Sequence, residues 1–249
     1  MCRMLGMVSR VPIPEAVLAE FGGLAARGKV PSDFDCGPIT AKAGHPDGWG
    51  IGAISPDGEV YHRSAESAST DGRYAAAARE VRHLPGGHFV LLAHLRRVLD
   101  KTLVAEEHTL PFRREDAGGV HYFAQVGDIE KFGLRDGGTD QRWVCDRVRA
   151  RMGDRFGPKE FTAGIAAVRE ECRTKFPKRL SSITAILSDG QGLLAHRDPG
   201  TCSLYFTLHL GRAKDMVLVS SEVLSSVQAK WRLLKQDETV AVDASLSVS

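Results

Sequence analysis

The sequence predicts an α+β fold, with two amphipathic helices in the middle of the chain set among many short strands. Val144, Val148 and Met152 recur at i, i+4 and i+8, and Phe161, Ile165, Val168 and Cys172 at i, i+4, i+7 and i+11. Both stripes follow the helical period. The run His88 to Leu95 is almost continuously apolar, as expected of a strand buried on both faces. The dipeptides Asp57-Gly58 and Asp189-Gly190 are hairpin turns between runs of strand formers. No repeat, low-complexity tract or linker divides the chain, so residues 1–249 read as one domain with layered sheets and helices.

Taken in order, Arg3 to Ser9 reads as a first strand, ended by Pro12 and Pro14. Pro14 suits the first position of a helix with Val17, Leu18 and Phe21 on one face. Gly22, Gly23, Gly28, Pro31, Gly37 and Pro38 then predict a loop. The stretch from His45 to Ile54 is a turn opening into a glycine-containing strand, and Glu59 to Arg63 returns from it. Tyr74 to His83 is alanine-rich and helical, closed by Pro85-Gly86-Gly87. Val120 to Ala124 is a strand delivering Gln125-Val126-Gly127-Asp128. Thr139-Asp140 opens the third helix. Later strands are expected at Ile183 to Leu187, Leu193 to His196, Ser203 to Leu208, Met216 to Val219 and Thr239 to Val242.

Composition narrows the function classes. Hydrophobic residues make up 43% and charged residues 26% of 249 positions, ordinary for a globular chain with a full core. A net charge of +2 gives no electrostatic case for nucleic acid or an anionic membrane as main partner. No apolar run approaches the roughly 18–20 residues that cross a bilayer, and no signal peptide is evident, so a cytoplasmic location is expected. Cys2, Cys36, Cys145, Cys172 and Cys202 are odd in number and scattered, which argues against a disulfide framework and a zinc ribbon. The histidines are equally dispersed, and neither a metal site nor a cofactor is expected.

Chemistry concentrates at Met1-Cys2-Arg3-Met4-Leu5-Gly6. The small side chain of Cys2 suits removal of Met1, which would give one residue both a thiol and a free α-amine. An α-amine titrates near pH 7.7–8.0 and a thiol at about 8.5, so the amine can serve as base for its own side chain. The alternative is an ordinary cysteine on a fraying terminus.

Met1-Cys2-Arg3-x-Leu5-Gly6 is followed by His45-x-Asp47-Gly48-Trp49-Gly50, Ala93-His94-Leu95-Arg96 and Pro111-Phe112. Next come Phe123-Ala124-x-x-Gly127, Gly138-Thr139-Asp140, Leu187-Ser188-Asp189-Gly190, Ser220-Ser221-Glu222-x-Leu224 and Trp231. In this order the sequence resembles the class II, N-terminal-nucleophile glutamine amidotransferases, closest to their short stand-alone branch. The resemblance implies a four-layer αββα sandwich of two antiparallel sheets between helix layers. It also implies attack on a γ-carboxamide by Cys2, release of ammonia and hydrolysis of a thioester. Arg96 matches the residue that clamps the substrate carboxylate, a task suited to a guanidinium. Asp140 matches the residue that holds the substrate ammonium. Outside the family, the same two residues would read as a surface ion pair or an N-cap. Gly127 matches the backbone donor of the oxyanion hole.

The departures from the family gather at the chemistry. Gln125-Val126-Gly127 stands where the family has His-Asn-Gly, so the asparagine donor of the oxyanion hole is replaced by Val126. Loss of one such donor costs about 10²–10³ in rate. His108-Thr109-Leu110-Pro111-Phe112 replaces Asn-x-His-Pro-Phe, and Val98-Leu99-Asp100-Lys101 replaces a small residue and glycine. Thr139-Asp140-Gln141-Arg142 replaces Thr-Asp-Ser-Glu. Three readings fit. Gln125, or His108, supplies the missing donor; the pocket is rebuilt for another amide; or the fold survives as a binding or regulatory subunit. An ammonia-accepting synthetase is an expected partner of the enzyme reading. The helix face carrying Arg142, Arg147, Arg149 and Arg151 either docks an acidic partner or is simply solvated.

Overall fold

The structure, a computed structural model, describes residues 2–36, 44–116, 118–135, 138–153 and 155–249. Met1 and the predicted loop residues Gly37 and Pro38 lie outside them. Two antiparallel sheets face each other, with a pair of helices on each outer side, so the αββα sandwich is the observed architecture. The first sheet contains β1 (Arg3–Ser9), β2 (Trp49–Ser55), β3 (Gly58–Ser64), β4 (Phe89–Leu95), β9 (His209–Arg212), β10 (Met216–Ser220) and β11 (Lys230–Leu233). Its order is β11-β9-β10-β1-β4-β2-β3. The second sheet contains β5 (Phe112–Asp116), β6 (Gly119–Val126), β7 (Thr184–Ser188), β8 (Leu193–His196) and β12 (Thr239–Val242), ordered β12-β8-β7-β6-β5.

Alternation along the central strands builds the layers. Met4 and Val8 of β1, with Val90 and Leu92 of β4, join the core shared with the second sheet. Leu5 and Met7, with Leu91, Ala93 and Leu95, face α1 (Glu15–Arg27) and α2 (Gly72–Arg82). The opposite outer layer is α3 (Asp140–Met152) and α4 (Pro158–Lys175). Both predicted stripes are buried there: Val144, Val148 and Met152 on α3, and Phe161, Ile165, Val168 and Cys172 on α4.

Three local expectations are corrected. Gly22 and Gly23 do not open a loop, because α1 runs through them. A Cβ on Gly22 would come within 2.3 Å of the Tyr74 ring, so the glycine lets α1 and α2 approach closely. The predicted strand from Ser203 to Leu208 is a turn, in which the amides of Tyr205 and Phe206 both donate to the Cys202 carbonyl. Pairing begins only at His209. Lastly, Cys36 and Cys202 form a disulfide across 166 residues, where the cysteine pattern argued against a cross-linked framework. Their separation along the chain hid a proximity that only the topology creates.

Reduction of that bond is expected to destabilise the protein. A closed loop of 166 residues corresponds to about 5 kcal/mol by the loop-entropy relation, and measured effects are typically about 2–4 kcal/mol. Denaturant unfolding with and without dithiothreitol reads the difference, and Cys36→Ser should reproduce the reduced value. Equal stability in all three would assign the bond no structural weight.

Candidate active site

The ladder register brings the first two candidates together. Arg3 pairs with Leu95, so Cys2 and Arg96, one residue beyond on each strand, emerge at the same end of adjacent central strands. The Cys2 thiol is buried, at 3% exposure, and its Sγ lies 3.8 Å from the Arg97 carbonyl. Arg3 anchors this end through an ion pair of 2.6 Å to Glu222 and a hydrogen bond of 2.8 Å to the Lys29 carbonyl. Its guanidinium also lies 4.2 Å over the Tyr205 ring. The Tyr205 hydroxyl donates to the Cys2 carbonyl at 3.5 Å and lies 3.4 Å from His45 Nε2.

Arg96 is 1% exposed. Its Nη1 donates to the Leu103 carbonyl at 2.7 Å, while Nη2 is buried with no hydrogen-bond partner among the described residues. Burial lowers the guanidinium pKa, against the attraction of Cys2, Asp140 and Asp47. Asp140 is the first residue of α3, and its Oδ2 accepts the Ile129 amide at 2.7 Å. Arg96 and Asp140 line one cleft of about 150 Å³, with Asp128 and Gln141. The two residues that the family resemblance pairs thus line the same cleft.

Burial pushes the Asp140 pKa up to about 7, and the nearby Asp128 carboxylate adds to the rise against the Ile129 hydrogen bond. Between about pH 4 and pH 7 the folded chain holds a proton here that the unfolded chain has released. This group's contribution to stability therefore falls as pH rises through that window and is level above it. A rise from 3.8 to about 7 corresponds to about 4 kcal/mol as an upper bound. Asp140→Asn keeps an oxygen for the Ile129 amide, so it should be more stable than wild type at pH 8 and no different at pH 4. Urea unfolding at the two pH values tests this, and equal midpoints at pH 8 would refute the burial argument.

Gln125 is brought near but turned away. Side chains alternate along β6: Tyr122 meets Gly52 of the first sheet, so Val126 faces the inter-sheet side with Cys2. Phe123 pairs with Phe112, whose ring lies 3.7 Å beneath Arg142 of α3, so Gln125 shares the helix-facing side. Its Nε2 donates to the Ser182 carbonyl at 3.0 Å. Gly127 adopts φ 130°, and a Cβ there would lie 1.9 Å from the Ser182 oxygen, so only glycine fits. Its carbonyl accepts from Gln141 Nε2 at 3.3 Å. His108 is half-buried, and burial lowers its pKa, with Arg96 and Arg142 adding to the fall against Glu107.

Other residues at this end carried no sequence-level role. The Asp47 amide donates to the Arg96 carbonyl at 3.0 Å. Its Oδ2 accepts from the Val98 amide at 2.9 Å and Lys101 Nζ at 2.6 Å, fixing the segment after Arg96. A carboxylate inside the Asp47-Gly48-Trp49-Gly50 motif was the available signal. His94 is fully buried in the inter-sheet layer, and neither ring nitrogen has a hydrogen-bond partner among the described residues. Burial, reinforced by Arg96, holds its pKa down to about 3 against the nearby Gln125 carbonyl, so the ring is neutral. The arginine face of α3 is largely engaged within the chain: Arg147 and Arg151 pair with Glu171 at 2.9 and 2.6 Å. Among the described residues no cluster has a metal-binding arrangement and no helix is long and apolar enough to cross a membrane.

Comparison with solved structures gives the same fold. Glutamine phosphoribosylpyrophosphate amidotransferase from B. subtilis, complexed with ADP and GMP, aligns at TM-score 0.67 and 15% identity, over 99% of this chain and 48% of that one. The allosteric regulatory enzyme of purine biosynthesis aligns at TM-score 0.69 and 14% identity, over 99% and 48%. This chain thus spans about half the length of those two. A glutamine aminotransferase class-II domain protein from Silicibacter pomeroyi aligns at TM-score 0.60 and 16% identity, over 99% and 97%. A search of curated proteins returned no match. The family model for class-II glutamine amidotransferases matches residues 1–210, and the chain belongs to that family.

Proposed function

We propose that this protein is a cysteine-dependent amidohydrolase acting on a glutamine or γ-glutamyl-type amide through a Cys2 thioester. The observation that carries the reading is the convergence of Cys2 and Arg96 at one strand end, with Asp140 and the unpartnered Arg96 Nη2 in the adjoining cleft. Removal of Met1 frees the Cys2 amine, which takes the thiol proton as sulfur attacks the amide carbon and returns a proton to departing ammonia. Water then cleaves the thioester. The Gly127 amide is the remaining backbone donor to the oxyanion. Arg96 receives the substrate's α-carboxyl end, and Asp140 its α-ammonium.

Because Asp140 is pushed up to about 7, its charge, and with it affinity for an ammonium, should grow as pH rises from 6 to 8. Ammonia released by hydrolysis goes to water or to a separate synthetase, and the cytoplasm is the setting that suits free ammonia exchange. Intact mass together with labelling by an electrophilic glutamine analogue tests the reading. The expected result is a chain starting at Cys2 that labels there faster than at Cys145 or Cys172. A chain that keeps Met1 and does not label at Cys2 would sink it.

One observation favours a second reading, a non-catalytic binding or regulatory subunit. Val126 offers no donor, and the neighbouring Gln125 amide is bonded to Ser182. Under that reading Cys2→Ala leaves biological activity unchanged.

A further inference from the structure

The cleft that holds the clamp has a wall that two charges do not explain. Val98, Leu99, Leu103, Ile129 and Phe132 form its apolar side, and Arg97, Asp100, Glu130 and Lys131 line the rest of the rim. Leu99 is 62% exposed, and Leu134, following the lining residue Gly133, is 53% exposed. An apolar wall running out to exposed leucines stabilises an apolar group, and it offers nothing to the polar ends of a free amino acid.

The donors tell the same story. A carboxylate is best met by two parallel N–H groups. Here Arg96 Nη1 is spent on the Leu103 carbonyl, leaving Nη2. The nearby Val98 amide and Lys101 ammonium both point to Asp47. One nitrogen matches one carbonyl oxygen. Asp140 has no cationic side-chain partner among the described residues and keeps its demand for an ammonium.

Building on the proposed function, we infer that the substrate is a glutamine with a free α-amine whose α-carboxyl is amide-linked to an apolar group, as in a peptide beginning Gln-Leu. Its ammonium meets Asp140, its α-carbonyl accepts from Arg96 Nη2, and the apolar group lies over Leu99 and Phe132. The reaction balances as hydrolysis. The sulfur–carbon bond forms as the γ-carbon–nitrogen bond breaks and ammonia leaves; water then splits the thioester, giving the γ-carboxylate and the free thiol. The peptide bond to the apolar group is untouched.

Binding to the Cys2→Ala protein tests this without needing turnover. Calorimetric titration should give glutaminyl-leucine amide a Kd at least tenfold below that of free L-glutamine, since a few buried methylenes suffice for that ratio. Leu99→Asp should erase the preference, and Leu99→Met should keep it. Equal affinity, or tighter binding of free glutamine, would overturn the inference while leaving the glutamine site standing. Binding of neither compound would overturn both. If Leu99→Asp fails to fold, Phe132→Ser gives the same readout from the other side of the wall.

Discussion

Cys2→Ala is expected to lower amide hydrolysis by about 10⁴-fold or more, the scale seen when a covalent nucleophile is removed. The loss should fall on kcat, because Arg96 and Asp140, the proposed clamp, are untouched and substrate should still bind. Stability should change little: Cys2 is buried at 3% exposure, but only one sulfur atom is lost, and its strand stays anchored by Arg3 to Glu222 and Lys29. A chain that retains Met1 should fall almost as far with its sulfur intact, because the amine that takes the proton is then an amide. Comparing steady-state ammonia release for wild type, Cys2→Ala and a Met1-retaining form separates the two contributions. Unchanged ammonia release in Cys2→Ala would end the thioester reading, and no release from any of the three forms would favour a binding subunit.

How much of this was legible beforehand depended on whether the information was local. Helical stripes on α3 and α4 and the apolar run of β4 are one-dimensional patterns, and they folded as read. Cys2, Arg96 and Asp140 were legible as a set through family motifs, and the register of β1 against β4 explains why the first two meet. The orientation of Gln125 was not legible. A side chain's face depends on strand phase, and a single residue of phase separates Val126, toward Cys2, from Gln125, toward α3. Gly22 misled because a glycine that permits close helix packing looks like one that breaks a helix. Tyr205, beneath the Cys2 carbonyl, and the Cys36–Cys202 bond depend on chain segments more than 160 residues apart, which no local pattern reports. The edge strands β5 and β11 are largely polar and exposed, so alternation gave no sign of them.

Val126→Asn is expected to raise kcat by about 10²–10³, the value of one restored oxyanion donor. Val126 is 2% exposed and faces the inter-sheet side with Cys2, so an amide placed there points into the layer where charge develops during attack. A donor that acts on the developing oxyanion should leave KM nearly unchanged. Burying an amide costs about 1–3 kcal/mol unless it finds partners. The neutral His94 ring beside β6, with no hydrogen-bond partner at either nitrogen among the described residues, is placed to supply one. A stability loss at the lower end of that range is therefore expected, read by denaturant unfolding. Val126→Thr, whose hydroxyl is shorter, should gain far less, and Val126→Leu nothing. If Val126→Asn folds and its rate does not move, either another group already supplies the second donor or the oxyanion forms elsewhere. Asp140→Asn measured in the same background distinguishes these, because it weakens binding only when the substrate still lies in the Arg96 cleft.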